Sequence, residues 1–205
     1  MLIRRLLQLS IGLTLYGASM ALMLRAALGL DPWDVFHQGV SGQVGLSIGM
    51  VVNLTGLVVL LLWIPLRQRP GIGTVANVVM IGTAMDLTLR ALPPVEGLAF
   101  QVAALVASIV ANGFAGALYI GAGLGPGPRD GLMTGLARRT GWSLRLVRTG
   151  IEVSVLALGW ALGGTVGVGT LLYAFGIGPL VQFFLPMVSI PEAKSNTQET
   201  MPLKT

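Results

Sequence analysis

Near its N-terminus the chain reads Leu28-Gly29-Leu30-Asp31-Pro32-Trp33-Asp34, and 96 residues later it reads Leu124-Gly125-Pro126-Gly127-Pro128-Arg129-Asp130. The two stretches carry Leu, Gly, Pro and Asp at the same relative positions. The match continues without gaps to a glycine motif, at positions 71–74 in one copy and 167–170 in the other. Shared apolar composition does not bring glycines, prolines and an aspartate into register. We therefore infer an internal repeat, with one copy in each half of the chain.

The composition indicates a membrane protein. Of the 205 residues, 54% are hydrophobic and only 10% are charged, and the mean hydropathy is +0.80. A water-soluble domain usually carries about 25% charged residues, so the composition excludes a soluble fold and a disordered chain. Apolar segments long enough to cross a hydrocarbon core of about 30 Å lie at Leu6–Leu24, Ile48–Leu66, Ile72–Leu89, Phe100–Ile120, Val147–Leu162 and Thr170–Val188. We expect an all-α integral membrane protein with six transmembrane helices.

The repeat divides these spans into two sets of three. Residues 1–96 form the first repeat, residues 97–188 the second, and the polar residues 189–205 are expected to be a disordered cytoplasmic tail. An odd number of spans gives the two halves opposite orientations. With a cytoplasmic N-terminus, every Lys and Arg except Arg25 and Arg90 falls on the cytoplasmic side, as the positive-inside rule requires. We predict two inverted-topology repeats with both termini in the cytoplasm.

Each repeat also contains a short segment that is too polar to span, at residues 31–44 and 126–140. We predict an interrupted or re-entrant helix in each. Asp31 before Pro32 is typical of a helix start, because Asp caps free N–H groups and Pro needs no donor there. In the second copy, Gly127 and Arg129 replace Asp31 and Trp33. Broken helices of inverted-repeat transporters lie near the substrate; a capped interfacial helix that closes the bundle is the alternative.

These residues also carry a resemblance to a known family. The run Leu28–Gly39 followed by Gly45–Gly49, and in the second half Gly123–Gly131 with Arg145–Glu152, resemble the YczE family of bacterial integral membrane proteins, which is often grouped with YitT-type proteins. The resemblance extends over about residues 5–188. It implies a multi-pass protein of the bacterial inner (plasma) membrane. It implies no substrate and no catalytic residue.

We predict a substrate site between the repeats, formed by Trp33, Asp34, Arg129, Asp130 and Glu152. Arg129 suits a carboxylate or phosphate group, and the acidic residues suit a cation or a coupling proton. Mixed charges around an otherwise apolar cavity favour a small organic ion or a zwitterion.

Ionisable residues within or beside the spans are candidates for coupling. Glu152 and Asp86 each have an arginine four residues away, Arg148 and Arg90. A self-contained ion pair is the simpler interpretation for Asp86, whereas a proton or cation site is an equal alternative for Glu152. His37, the only histidine, is interpreted either as a surface residue or as a proton carrier.

Two further motifs have both a structural and a functional interpretation. The glycine pairs at 71–74 and 167–170 fit a tight turn between helices, and an anion site is the alternative. Gly17 and Ala21, repeated as Gly113 and Ala117, favour close helix packing, for which an interface between the two halves is one interpretation. A homodimer is a separate possibility.

The leading functional hypothesis is a small secondary transporter of an amino-acid-like metabolite, with proton coupling as an option. A substrate-binding membrane subunit of a multi-component transporter and a non-transporting accessory protein of membrane-associated biosynthesis are the alternatives. The absence of cysteine and the lone histidine give no metal or cofactor signature, so we predict no enzyme, no cofactor and no metal site. The expected partners are the lipid bilayer and a small-molecule substrate, and not nucleic acid.

Overall fold

The computed structural model describes residues 1–190, and the remainder of the predicted tail, residues 191–205, lies outside the described residues. The described part of the chain is helical throughout and contains no strand. Its helices are α1 (Leu2–Ala26), α2 (Pro32–Val44), α3 (Ile48–Leu61), α4 (Trp63–Leu66), α5 (Ile72–Ala91), α6 (Leu98–Gly121), α7 (Pro128–Thr140), α8 (Leu144–Ala161) and α9 (Val168–Val188).

Five helical segments are long and apolar enough to cross a membrane. They are α1, the continuous α3–α4 segment, α5, α6 and α9. The prediction of an all-α membrane protein is confirmed at this level. Helix α8 is not among the five, since its 18 residues include the charged Arg145, Arg148 and Glu152. The sixth span, and with it the six-span inverted repeat, stays a prediction.

Both short helices begin at the expected prolines. Asp31 caps α2, because its Oδ1 accepts hydrogen bonds from the N–H groups of Trp33 (3.0 Å) and Asp34 (3.3 Å). Helix α7 begins after Gly127 and has no side-chain cap. The two helices end alike, at a glycine in the left-handed conformation that closes many helices. The repeat therefore gives two similar short helices that differ at their N-terminal ends.

Helix α1 lies at the centre of the packing, against α5 and α6. Gly17 of α1 contacts the backbone carbonyl of Ile81 in α5, where a Cβ would not fit. Its repeat equivalent, Gly113 in α6, packs against Leu180 of α9. These small residues do allow close packing, but each does so within its own half of the chain and not between the halves.

The two halves exchange equivalent backbone contacts. The N–H of Gly169, at the start of α9, donates to the carbonyl oxygen of Leu28 (2.8 Å), and the N–H of Gly73, at the start of α5, donates to that of Leu124 (2.8 Å). The N–H groups of Gly71 and Gly167 each donate a hydrogen bond to the hydroxyl of the threonine three residues later in the chain. Since these amides are already paired, the glycine motifs form tight turns and not an anion site.

The short helices also cross between the halves. Helix α2 packs mainly against α8, and α7 packs against α3, α4 and α8. Gly39 of α2 contacts Gly159 of α8, and Gly131 of α7 lies on the indole ring of Trp63. Each short helix is thus supported by the opposite repeat, and this arrangement brings their N-terminal ends to the same place.

Candidate functional site

A cavity of about 260 Å³ opens where α2 and α7 begin. A smaller neighbouring cavity of about 70 Å³ extends towards α3 and α5 and shares several lining residues with it. The larger cavity is lined by side chains from α1, α2, α6, α7, α8 and α9, so both halves of the chain contribute. Its polar lining residues are Tyr16, Asp31, Asn112, Tyr119, Arg129, Asp130, Arg148, Glu152, Tyr173 and Gln182.

Four of the five predicted site residues line this cavity. They are Trp33 from α2, Arg129 and Asp130 from α7, and Glu152 from α8. Asp34 does not line it, because its side chain is fully buried behind the first turn of α2. The structure therefore assembles most of the predicted set and separates Asp34 from the rest.

Arg129 differs from the other charged residues of the cavity in its contacts. Its guanidinium carbon lies 4.7 Å from the centroid of the Trp33 ring, within the range of a cation–π interaction. No described residue accepts a hydrogen bond from this guanidinium, and none forms an ion pair with it. A partly buried guanidinium without an anionic partner is unfavourable. Its donors are therefore free to bind an anionic group in the cavity.

The N-terminal end of α7 also favours an anionic group in the cavity. Its first amides have no side-chain cap, because Gly127 stands where α2 has Asp31. The free N–H groups and the dipole of a helix N-terminus favour negative charge. The same turn carries Arg129, so the guanidinium and the helix end attract the same kind of group.

The acidic groups of the cavity are each bonded to a protein donor. The Tyr119 hydroxyl donates to Oδ2 of Asp130 (2.8 Å), and Nε of Arg148 donates to Oε1 of Glu152 (2.8 Å). The second contact is the ion pair expected from the four-residue spacing, and both of its side chains also line the cavity. These two negative charges are therefore held by their own partners, and Arg129 forms no ion pair within the described part of the chain.

Three tyrosines complete the site, and they were not predicted from the sequence. The chain has only three, Tyr16, Tyr119 and Tyr173, and all three line the cavity. The Tyr173 hydroxyl donates to Oδ1 of Asn112 (2.9 Å), whose Nδ2 donates to Oγ of Ser19 (2.8 Å). A sequence signal existed, because all three lie inside apolar spans and not at the ends, where membrane tyrosines are usually enriched.

Asp34 and His37 form a pair beneath the cavity. Nδ1 of His37 lies 2.9 Å from Oδ1 of Asp34, and both side chains are 0% exposed. The interpretation of His37 as a surface residue is therefore wrong. The reason is that α2 is covered by α8 and does not lie at the edge of the bundle.

Asp86 does not form the expected pair with Arg90. Its carboxylate accepts hydrogen bonds from the Ser47 hydroxyl and from the N–H of Gly49 (2.9 Å), so it caps the start of α3. The run Gly45–Gly49 has the Gly-x-Ser-x-Gly spacing of a hydrolase nucleophile, but it connects two helices and no described strand precedes it. Ser47 therefore has a structural role.

Trp63 positions the start of α7. Its Nε1–H donates to the carbonyl oxygen of Pro128 (2.9 Å), and the side chain is buried. Trp142 and Trp160, by contrast, are exposed. The indole fixes the turn that carries Arg129.

Comparisons with known proteins agree with the resemblance in the sequence. Residues 3–186 match a family described as a family of unknown function (DUF6198). An "Uncharacterized protein" of Haemophilus influenzae is 40% identical over 177 residues, which cover 86% of this chain and 81% of that protein. The "Uncharacterized membrane protein YczE" of Bacillus subtilis is 36% identical over 161 residues, which cover 78% of this chain and 75% of the relative. No solved structure matches significantly. The chain therefore belongs to the DUF6198 family, and the YczE membrane protein is one of its relatives.

Proposed function

We propose that the chain is a secondary transporter of a small organic anion or zwitterion in the bacterial inner membrane. The observation that carries the proposal is the Arg129 guanidinium, which lines a cavity between the two halves, lies 4.7 Å from the centroid of the Trp33 ring and forms no ion pair with a described residue. A guanidinium binds a carboxylate or a phosphate through two parallel hydrogen bonds. The proposed substrate places such a group on Arg129, at the start of α7.

The cavity volume limits the size of the substrate. At about 260 Å³ it is smaller than the pockets of about 300–1,000 Å³ that hold drug-sized ligands. This volume suits a metabolite of amino-acid size. The rings of Tyr16, Trp33 and Tyr173 would cover its apolar part, and Asp130 and Glu152 lie within the same cavity for a cationic group.

Inverted repeats supply the proposed transport cycle. The equivalent contacts of Leu28 with Gly169 and of Leu124 with Gly73 support an arrangement of six spans as two inverted repeats. In such carriers one repeat moves against the other around a site near the membrane midplane. In the proposed orientation both termini are cytoplasmic, which follows from the distribution of basic residues.

Proton coupling is part of the proposal. Glu152 and His37 are its two candidate residues. Glu152 is 29% exposed and is already neutralised by Arg148, whereas His37 is fully buried beside Asp34. No chemical step is needed at the site, so we propose neither an enzyme nor a cofactor.

A ligand screen on the purified protein tests this function. The melting temperature is measured in detergent against amino acids, small mono- and dicarboxylates and phosphate esters. We expect one class that carries a carboxylate or a phosphate to stabilise the wild-type protein and to have little effect on Arg129→Gln. If no compound stabilises the protein and an ATPase copurifies with it, the multi-component alternative replaces this proposal. Equal stabilisation of Arg129→Gln would place the anion elsewhere.

A further inference from the structure

Asp34 and His37 are a fully buried polar pair that the anion site does not use. One hydrogen bond joins them, between Oδ1 and Nδ1. The remaining polar atoms, Oδ2 of Asp34 and Nε2 of His37, are buried and have no hydrogen-bond partner. Buried polar groups in folded proteins are nearly always paired, so two orphan atoms on one side-chain pair require an explanation.

Few charged or titratable groups lie near Asp34 and His37. Asp31, at the N-cap of the same helix, is the acidic neighbour of the pair, and its carboxylate accepts a hydrogen bond from the backbone N–H of Asp34. Arg129 from α7 and Tyr173 from α9 are the other titratable or charged groups near the pair in the described chain. Helix α3 has no charged residue, and α8 meets α2 through Gly159 and Leu162, away from its own charged residues in its first half.

The Trp33 ring neighbours both His37 of this pair and the Arg129 guanidinium of the anion site. Its centroid is 6.3 Å from the His37 ring, and the Arg129 guanidinium lies 4.7 Å from the same indole. In a buried site of low dielectric constant, charged groups that share a neighbouring side chain interact more strongly than they would in water. The positive charge of Arg129 therefore opposes the binding of a proton to the pair. An anion on Arg129 cancels that charge and removes the opposition.

We propose that Asp34 and His37 hold the coupling proton, and that an anion bound to Arg129 promotes uptake of this proton across the Trp33 ring. One proton from water adds to the pair, and no other covalent bond forms or breaks. By thermodynamic linkage, the proton strengthens anion binding by the same factor. The inference rests on the proposed anion site, and it assigns to Asp34 a role separate from the substrate.

The single histidine makes the proton site directly observable. Protein labelled with [13C,15N]histidine, and purified with a tag that contains no histidine, gives one imidazole signal by NMR. Its chemical shift is followed from about pH 4 to about pH 9. Arg129→Gln mimics the neutralised guanidinium, and Arg129→Lys is the matched control that keeps the charge. No ligand is added.

We expect the imidazole of Arg129→Gln to titrate about one pH unit or more above that of the wild type, because a nearby positive charge has been removed. Arg129→Lys is expected to titrate close to the wild type. Asp34→Asn is expected to lower the midpoint, since the imidazolium loses its carboxylate partner. Circular dichroism and the melting temperature show that each variant is folded.

Several results would overturn the inference. One is an imidazole that titrates identically in the wild type, Arg129→Gln and Asp34→Asn. Another is an imidazole that does not titrate over the whole range in any of these proteins. The test is independent of transport: a protein that carries nothing but shows the shift would refute the transporter and leave the linkage between the two groups. Transport without the shift would refute the linkage alone.

Discussion

Trp33 and Arg129 occupy equivalent positions in the two repeats, and they contact each other, with the guanidinium 4.7 Å from the indole centroid. The contact lies at the starts of α2 and α7, beside the cavity that both halves of the chain line. The two repeats differ in sequence at this position, with an aromatic ring in the first and a cation in the second. The candidate site is therefore asymmetric although the two halves of the chain are repeats.

The guanidinium of Arg129 should matter beyond its charge. Arg129→Lys keeps the charge but loses the planar guanidinium, whose paired N–H groups bind a carboxylate through two hydrogen bonds. We therefore expect the ligand from the screen to bind at least about tenfold more weakly. Arg138→Lys, at the far end of the same helix, is the matched control and should bind normally. Isothermal titration or thermal stabilisation measures both. Equal affinity in the two variants would remove Arg129 from the site.

The hydrogen bond of Trp63 to the start of α7 should support the site from a distance. Trp63→Phe leaves a ring on Gly131 but removes the donor to the Pro128 carbonyl, so we expect a loss of about 1 kcal/mol of stability and weaker ligand binding. Trp142→Phe is the control, since Trp142 is 60% exposed and no described side chain depends on its indole N–H. The measurements are the melting temperature and the ligand-induced shift. A Trp63→Phe protein as stable as Trp142→Phe would contradict this role.

The exchanged glycine contacts should be sensitive to a single methyl group. In Gly71→Ala the added Cβ meets the Leu124 carbonyl oxygen and lies 3.0 Å from Cα of Gly125. We expect a destabilisation of about 1–3 kcal/mol. Gly150→Ala, where the space around the Cβ is open, should cost nothing. Thermal unfolding measures the stability of the two variants. Equal stability would mean that the packing of the two halves does not depend on this contact.

The two short helices should be accessible from opposite sides of the membrane. The chain has no cysteine, so Gly42→Cys on α2 and Arg138→Cys on α7 each introduce a single reactive site, and both positions are exposed. We expect an impermeant maleimide to label position 42 from the outside of intact spheroplasts, and position 138 only after lysis. Labelling of both positions from one side would rule out inverted repeats.

Local sequence signals predicted the helices well. The prolines at 32 and 128 mark the first residues of α2 and α7, because the first helical position needs no N–H donor and favours the fixed φ of Pro. Apolar length placed the long helices to within a few residues, and the one helix that falls short of a span, α8, carries three charges. The repeat also pointed to the two short helices, whose N-terminal residues line the cavity.

Tertiary packing decided what the sequence did not reveal. His37 lies in a polar stretch, and only the cover of α8 over α2 buries it. Asp86 is four residues from Arg90, yet it bonds to α3 because the start of that helix passes close by. The three tyrosines lie far apart in the chain, and only the crossing of α1, α6 and α9 brings them to one cavity.

Uptake into proteoliposomes tests the central claim most directly. The wild type, Arg129→Gln and Arg138→Gln are reconstituted into the same lipid, and uptake of the radiolabelled ligand from the screen is followed with and without an inwardly directed proton gradient. We predict uptake by the wild type and by Arg138→Gln, stimulated by the gradient, and none above empty liposomes by Arg129→Gln. A wild-type protein that binds the ligand but moves it no faster than empty liposomes would contradict the account.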